Sequence, residues 1–249
     1  MTRDLLIRGM IAGILAAILA TLFARALVEP RIDLAIAYEA SHEAHTAQAH
    51  TAQAMPGMAP TEEGELVSRT TQKGLGLLTA LTLYGAAIGG LFSLLFAVVY
   101  GRVASIGPRS LALLLALGAF VAIALVPALK YPPTPPAVGR HETVAFRTIA
   151  YFSMIALSLV ALVIAVKLGR AARHRIGSFN GLLAGSTVYI ALMAAVQVAL
   201  PMIDEVPADF PAAVLWDFRI GSIATQAVLW LAVGIGFGTM ADRLLRRPG

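Results

Sequence analysis

Residues 110–129 read SLALLLALGAFVAIALVPAL and contain no charged side chain, although Arg109 and Lys130 stand immediately on either side. About 20 apolar residues in helical conformation cross the hydrocarbon core of a bilayer. Because no water is available there, a spanning segment must satisfy its own backbone hydrogen bonds, which a helix does. This stretch therefore predicts a transmembrane helix.

Five other windows of the chain have the same apolar character. Four of them contain no Asp, Glu, Lys or Arg, and the first contains only Arg25. Charged residues make up 13% of the 249 residues, whereas a typical soluble domain has roughly 25%. This composition excludes a soluble enzyme, a disordered chain and a coiled coil, and it predicts a single all-α, polytopic membrane domain. The six predicted spans are 9–28, 74–100, 110–129, 148–166, 179–200 and 220–241.

The basic residues are divided unevenly between the two ends of these spans. One side carries 11 of the 19 Lys and Arg residues against only Asp4 and Asp242, whereas the other carries eight against twelve carboxylates. Cytoplasmic loops are enriched in Lys and Arg, so both termini are predicted to be cytoplasmic, in a cytoplasmic (inner) membrane. The net charge of +5 then reflects topology and contact with anionic lipid, not nucleic-acid binding.

The first predicted span has two interpretations. Arg3 and Arg8 precede an apolar stretch that ends at Ala24-Arg25-Ala26, which resembles a signal-peptide cleavage site. Cleavage there would leave five spans. The stretch is longer than a usual signal core of about 7–15 residues, and an arginine lies inside the site. We therefore expect the span to be retained.

Glycines spaced four residues apart occur on four of the predicted spans. Such pairs let helix backbones approach closely in a membrane, so we interpret them as packing sites and not as the lining of a substrate path. A repeat of three helical hairpins is a further hypothesis, although caps and interfacial arginines that any hairpin needs would give a similar pattern. The glycine pairs are Gly9/Gly13, Gly85/Gly89, Gly181/Gly185 and Gly234/Gly238.

The predicted outer loop 29–73 is far longer than a connection between two helices requires. A helix would bring His42 and His45 to one face, with Glu39 and Glu43 within one turn. Imidazole and carboxylate groups are ligands of divalent first-row metals, so these four residues and His50 are candidate metal ligands. The alternative is a solvated linker, because the sequence HTAQA that begins at His45 is repeated from His50.

Two further outer loops carry candidate functional residues. Four prolines in five positions favour a rigid polyproline II segment in the second loop, which could be a lid, a docking strip or a stiff connector. The third loop has Asp204, Glu205, Asp209 and Asp217 with Arg219 as counter-charge, and it could form an acidic vestibule that concentrates cations or a simple solvated loop. The motif residues of the second loop are Lys130, Tyr131, Pro132, Pro133, Pro135, Pro136 and Gly139.

Few polar side chains fall within the predicted spans. Tyr189, Met193 and Gln197 recur at four-residue intervals on the fifth span, and Gln226 lies on the sixth. They are candidates for lining a transport path or for hydrogen bonds between helices. The histidine loop lacks the H-E-x-x-H spacing of a metalloprotease, and neither a P-loop nor a cysteine is present. The sequence therefore predicts neither an enzyme nor a resident cofactor.

Several blocks together resemble CbtA, a family of probable cobalt transporter subunits. They are the span from Gly9 to Glu29-Pro30, the histidine-bearing outer loop, Val67-Ser68-Arg69, and residues 125–139 (LVPALKYPPTPPAVG) followed by Arg147-Thr148. The resemblance implies a multi-span protein that takes up Co²⁺ in connection with cobalamin synthesis. It also implies a small, single-span, histidine-rich partner protein (CbtB-like). The family is usually described with five spans, whereas six are counted here.

The residues alone leave other functions open. Cobalt and nickel accept the same imidazole and carboxylate ligands, so transport of Ni²⁺ or another divalent cation fits equally well. A non-transporting scaffold, or an accessory protein that hands metal ions to another permease, fits the same features. No nucleotide-binding motif indicates how transport would be energised.

Overall fold

The computed structural model describes residues 1–38, 40, 77–102, 106–135, 138–139 and 141–246, and these are helical apart from short connections. Six helices are long and apolar enough to cross a membrane, which confirms the predicted all-α architecture. A shorter helical stretch covers residues 29–38. The six long helices are α1 (Thr2–Leu27), α2 (Leu77–Val99), α3 (Pro108–Lys130), α4 (Val144–Ile176), α5 (Ser178–Ala199) and α6 (Ala212–Leu245).

Helices α4 and α6 are longer than their apolar windows. Their 33 and 34 residues correspond to about 50 Å, well beyond a hydrocarbon core of about 30 Å. The predicted span ends at residue 166, but the basic segment that follows continues α4 to Ile176, and Gly177, with a φ of +86°, ends the helix. His174 therefore lies in the last helical turn, where basic side chains interact favourably with the helix dipole.

Contacts between helix ends show which loops share a side of the bundle. At one end, Arg31 pairs with Asp217 at 3.0 Å. At the opposite end, the guanidinium of Arg8 donates a hydrogen bond to the carbonyl of Met240 at 3.0 Å. We call the first the proline-loop side, because it carries residues 131–135, and the second the terminal side. Helices α1 and α6 therefore run in opposite directions.

The closest helix contact joins α1 and α2 through glycines. A Cβ on Gly13 would overlap the carbonyl oxygen of Gly85, and one on Gly89 would overlap that of Gly9. Comparable close approaches join Gly169 of α4 to α5 and the alanines of α3 to α6. The interpretation of the four glycine pairs as packing sites is therefore confirmed.

The helix pairs with the most extensive contacts differ from the three hairpins that the repeat hypothesis predicts. The extensive pairs are α1 with α2, α4 with α5, α1 with α6, and α3 with α6. Only the first of these is one of the three expected outward-and-return hairpins. Helices α5 and α6 are consecutive in the chain, yet the main partner of α5 is α4. The hypothesis of three repeated hairpins therefore does not predict which helices pack against each other.

Helix α3 contains a widened turn beside the cavity described below. Residues Phe120–Leu125 are π-helical, and the N–H of Val126 donates to the carbonyl of Val121 five residues earlier. Pro127 follows at once and has no N–H of its own, which is a common cause of an irregular turn. The widened turn places Ile123 and Ala124 on the cavity wall.

The terminal side of α6 carries a buried carboxylate. Asp242 is almost fully buried and pairs with Arg109 at 3.0 Å and with Arg246 at 2.8 Å. It follows Gly234 and Gly238 at four-residue intervals, so all three lie on the face of α6 that packs against α3. This ion pair fixes the register of α6 against α3 at the end opposite the cavity.

Candidate functional site

A cavity of about 630 Å³ lies between α2, α3, α4 and α6 and reaches the loops of the proline-loop side. Such a volume falls within the range of about 300–1,000 Å³ that is usual for small-molecule sites. Thr134 and Asp204 line it and are exposed, so the cavity opens toward that side. The polar and charged lining residues are Tyr84, Tyr131, Thr134, Arg147, Tyr151, Asp204, Glu205, Arg219, Ser222, Gln226 and Trp230.

Buried aromatic residues close the cavity toward the terminal side. Trp230 lines the cavity and lies 6.5 Å from Phe92, measured between ring centroids. Phe92 packs edge-on against Phe237 at 5.5 Å, and Phe237 packs against Phe96 at 5.0 Å. Phe96 and Phe237 are fully buried. The cavity therefore ends near the middle of α6 against a close-packed aromatic cluster.

An ion pair stands at the mouth of the cavity. Arg147 of α4 lies 3.6 Å from Glu205 of the third loop, and both residues line the cavity. The guanidinium of Arg147 passes directly over Gly139, where a Cβ would overlap it. Gly139 also has a φ of +115°, which side chains with a Cβ rarely adopt. Gly139, the last residue of the predicted outer motif, thus leaves the space that the Arg147 guanidinium occupies.

The start of the outer motif connects α3 to the end of α5. The ammonium of Lys130 donates a hydrogen bond to the carbonyl of Gln197 at 2.6 Å, and the Tyr131 hydroxyl donates to the carbonyl of Pro201 at 2.9 Å. The last carbonyls of a helix have no partner within it, so Lys130 caps α5. Tyr131, Pro132 and Pro133 line the cavity and Pro135 is buried, whereas Pro136 lies outside the described residues.

A small apolar cluster joins the three segments of the proline-loop side. Ala35, Val138 and Phe210 are buried together, and Tyr38 packs edge-on against Phe210 at 5.1 Å. Burial raises the pKa of Tyr38 to about 12, and the neighbouring Asp209 contributes to the shift. A tyrosine hydroxyl is protonated at neutral pH in any case, and the raised pKa keeps Tyr38 protonated in alkaline solution as well.

The charges of the third loop pair differently from the sequence expectation. The sequence suggests Arg219 as the counter-charge of this acidic loop. Instead, Asp217 pairs with Arg31 and Glu205 pairs with Arg147. Arg219 lines the cavity, and it has no ion pair with any residue that the structure describes. Sequence order is misleading here because the partners come from segments far away in the chain.

The four residues predicted to line a path separate into two groups. Gln226 lines the cavity. Tyr189 exchanges a hydrogen bond with Ser158 of α4 at 2.8 Å, and Met193 is buried in the cluster between α3, α4 and α5. The amide nitrogen of Gln197 lies 3.5 Å from the carbonyl of Val126. The positions of these three on α5 match the alternative interpretation, in which they hold helices together.

The predicted metal ligands Glu39, His42, Glu43, His45 and His50 lie outside the described residues. Within the part of the chain that the structure describes, no group of three or more His, Cys, Asp or Glu side chains is arranged to hold a metal ion. The candidate metal site of the outer loop therefore stays a prediction.

Most cavity residues are not among the sequence predictions for a path, and two of them, Trp230 and Arg219, carry buried polar groups. In the sequence, Trp230 is one aromatic residue within an apolar span and gives no sign of a polar role. The sequence analysis assigns Arg219 to the surface as a counter-charge of the third loop. A signal is present, because Arg219, Ser222, Ile223, Gln226 and Trp230 are spaced as one face of a helix. That face is the one that α6 presents to the cavity.

These features define a class of protein. The chain is a multi-pass helical membrane protein with a cavity of small-molecule size that opens on one side and ends near the middle of the bundle. A family model described as "Probable cobalt transporter subunit (CbtA)" matches residues 2–242, and the chain belongs to this family. No match was found among the curated proteins or among the solved structures.

Proposed function

We propose that this chain is the membrane-spanning subunit of a system that takes up Co²⁺ across the cytoplasmic membrane. The observation that carries the proposal is the one-sided cavity. A transporter must offer its site to one side of the membrane while a barrier separates it from the other. The exposed mouth at Asp204 and the buried ring cluster below Trp230 have the form of such an arrangement.

The proposed orientation follows from charge. The terminal side carries most of the Lys and Arg residues and would face the cytoplasm, with both termini inside. The proline-loop side, which carries most of the carboxylates, would face outward. Its negative charge would raise the local concentration of divalent cations at the mouth of the cavity.

The outer-loop histidines would deliver the ion in this scheme. A metal binds the neutral imidazole, whose ordinary pKa is about 6.5, so capture would weaken as the external pH falls through that value. Ordering a loop costs about 1–2 kcal/mol per residue, so binding would be weak. Weak binding suits a donor that has to release its ion to the next site.

The family name describes one component of a complex, which implies a protein partner. We propose that the partner is a small, single-span, histidine-rich protein (CbtB-like), and that the imported ion serves cobalamin synthesis. No enzymatic step is proposed for this chain. Transport of Ni²⁺ is the second candidate, because imidazole and carboxylate groups accept both ions. The third is a non-transporting accessory that passes the ion to another permease.

Uptake measurements separate these candidates. A host that lacks its own cobalt and nickel importers would express the chain with and without the small partner, and radiolabelled Co²⁺ and Ni²⁺ would be supplied at the same concentrations. We expect entry of Co²⁺ above background when both proteins are present. Entry of Ni²⁺ alone would favour the second candidate. Background entry of both ions, with both proteins shown to be in the membrane, would favour the accessory role.

The histidine loop has its own test in the same host. The triple variant His42→Ala, His45→Ala, His50→Ala should reach the membrane normally and lose uptake mainly at low external Co²⁺, with the loss shrinking as Co²⁺ is raised. At limiting Co²⁺, uptake by the parent protein should fall as the external pH drops through about 6.5, and the triple variant should show less of that fall. Unchanged uptake at low Co²⁺ would make the loop a linker. Loss at every concentration would indicate a role in assembly.

A further inference from the structure

The cavity contains a positive charge that no described residue compensates. Among its charged lining residues, Arg147 is paired with Glu205, and Asp204 lies exposed at the mouth, where it accepts a hydrogen bond from the N–H of Val206 at 3.4 Å. The Nε atom of Arg219 is buried and has no hydrogen-bond partner among the described residues. The Arg219 side chain is partly buried, and a charged group that loses part of its hydration is stabilised by a partner of opposite charge. The site is therefore suited to an anion.

A second buried donor without a partner lies deeper in the same cavity. Trp230 is only 6% exposed, and its indole N–H has no hydrogen-bond acceptor among the described residues. Buried indole N–H groups usually have a partner. Arg219, Gln226 and Trp230 share the cavity face of α6, and at 1.5 Å rise per residue the arginine and the tryptophan are about 16 Å apart along the axis. The donors thus run from the mouth to the floor.

The remaining wall indicates what kind of anion would fit. It is formed largely by apolar side chains such as Ile88, Ile123, Ile155 and Ile223, which suit a ligand with an apolar body. One uncompensated guanidinium matches one negative charge, and its planar fork matches the two oxygens of a carboxylate. A phosphate dianion would require a second free cation, but the other lining arginine is already paired.

We propose that this cavity binds a small organic carboxylate with an apolar body, whose carboxylate group is held by Arg219. Gln226 and the indole N–H of Trp230 donate to polar atoms farther along the ligand. This inference goes beyond the proposed uptake of cobalt and does not depend on it. Arg219 would repel a bare divalent cation, so entry of Co²⁺ through this cavity would require the arginine charge to be neutralised, and a bound carboxylate would neutralise it.

The test uses the fluorescence of the cavity tryptophan. The chain has two tryptophans, and Trp216 is 65% exposed, so the variant Trp216→Phe leaves Trp230 as the only indole emitter. The full-length variant in detergent is titrated with 8-hydroxyoctanoate, whose extended apolar chain carries a hydroxyl at its far end for Gln226 or Trp230, and which does not absorb at the excitation wavelength. The neutral isostere 8-hydroxyoctanamide and inorganic phosphate are titrated in parallel. We expect a saturable change with the carboxylate and none with the amide or phosphate.

Substitutions of Arg219 then test whether this residue binds the carboxylate group. Arg219→Gln in the Trp216→Phe background should raise the Kd of the carboxylate by about tenfold to a hundredfold, as expected for loss of a charge-assisted hydrogen bond. Arg219→Lys should recover part of the affinity, because it keeps the charge without the fork. Arg31→Gln is the matched control, since Arg31 is on the same side of the bundle but pairs with Asp217 outside the cavity.

The outcomes decide the proposal even if an Arg219 variant fails to fold, because the carboxylate and the amide are compared on the parent protein. Equal responses to both, or no response to either, would overturn the proposal. A Kd for Arg219→Gln equal to that of the parent, in a variant with the same elution volume and Tm, would also overturn it. A saturable response to phosphate in place of the carboxylate would refute the assigned ligand class.

Discussion

Replacing Gly139 by alanine should destabilise the protein through two separable effects. The φ of +115° at this position would be strained for alanine, at a cost of about 1–3 kcal/mol. The new Cβ would also overlap the guanidinium of Arg147 and push it away from Glu205. That partly buried ion pair contributes about 1 kcal/mol or more, between the values for exposed and buried pairs. The total loss should be about 2–4 kcal/mol.

Two other glycines separate these effects. Gly101 has a φ of +75° but no neighbouring atom within 4 Å of the place that a Cβ would occupy, so Gly101→Ala reports backbone strain alone, about 1–2 kcal/mol. Gly107 has neither a positive φ nor a neighbour within 4 Å. Gly107→Ala should therefore change the stability least.

The assay is equilibrium unfolding of the purified protein by SDS in mixed micelles, followed by tryptophan fluorescence. A double-mutant cycle with Arg147→Lys isolates the contact, because lysine lacks the planar fork above Gly139. Gly139→Ala should cost less in the Arg147→Lys background. The reasoning is refuted if the two costs simply add, or if Gly139→Ala is no more harmful than Gly101→Ala.

The remaining predictions concern packing and topology. Gly89→Ala should destabilise the bundle by about 1–3 kcal/mol, because its Cβ overlaps α1, whereas Gly90→Ala on the same helix meets only side-chain atoms at 3.5 Å and should be tolerated in the same unfolding assay. Asp242→Asn should cost about 1.5–3 kcal/mol of stability through its charged hydrogen bonds, and a variant with unchanged unfolding would show that this buried pair is dispensable. Single cysteines at Thr134 and Ser178 should label from opposite sides of intact cells, Thr134 from outside; outside labelling of Ser178 would reverse the proposed orientation.

The sequence alone was sufficient to predict the six helices. In a bilayer each backbone group has to be satisfied within its own segment, so length and charge content decide where a span lies. The packing role of the glycine pairs was also predictable, because a four-residue spacing places both members on one helix face. The ends of α4 and α6 were not predicted, since helices that continue into water no longer need apolar residues.

The partners of the charged residues and the cavity were decided by tertiary structure only. Arg147 and Glu205 are 58 positions apart in the chain, and their pairing depends on how the third loop folds over α4. The cavity needs α2, α3, α4 and α6 together, and no local pattern states which helices will be neighbours. The sequence suggests Asp217 as a nearby partner for Arg219, but in the structure Asp217 forms its ion pair with Arg31. Each helix is determined by hydrogen bonds within its own segment. A binding site depends on side chains that are distant in the chain, and only the packing of the helices decides which of them are left without a partner.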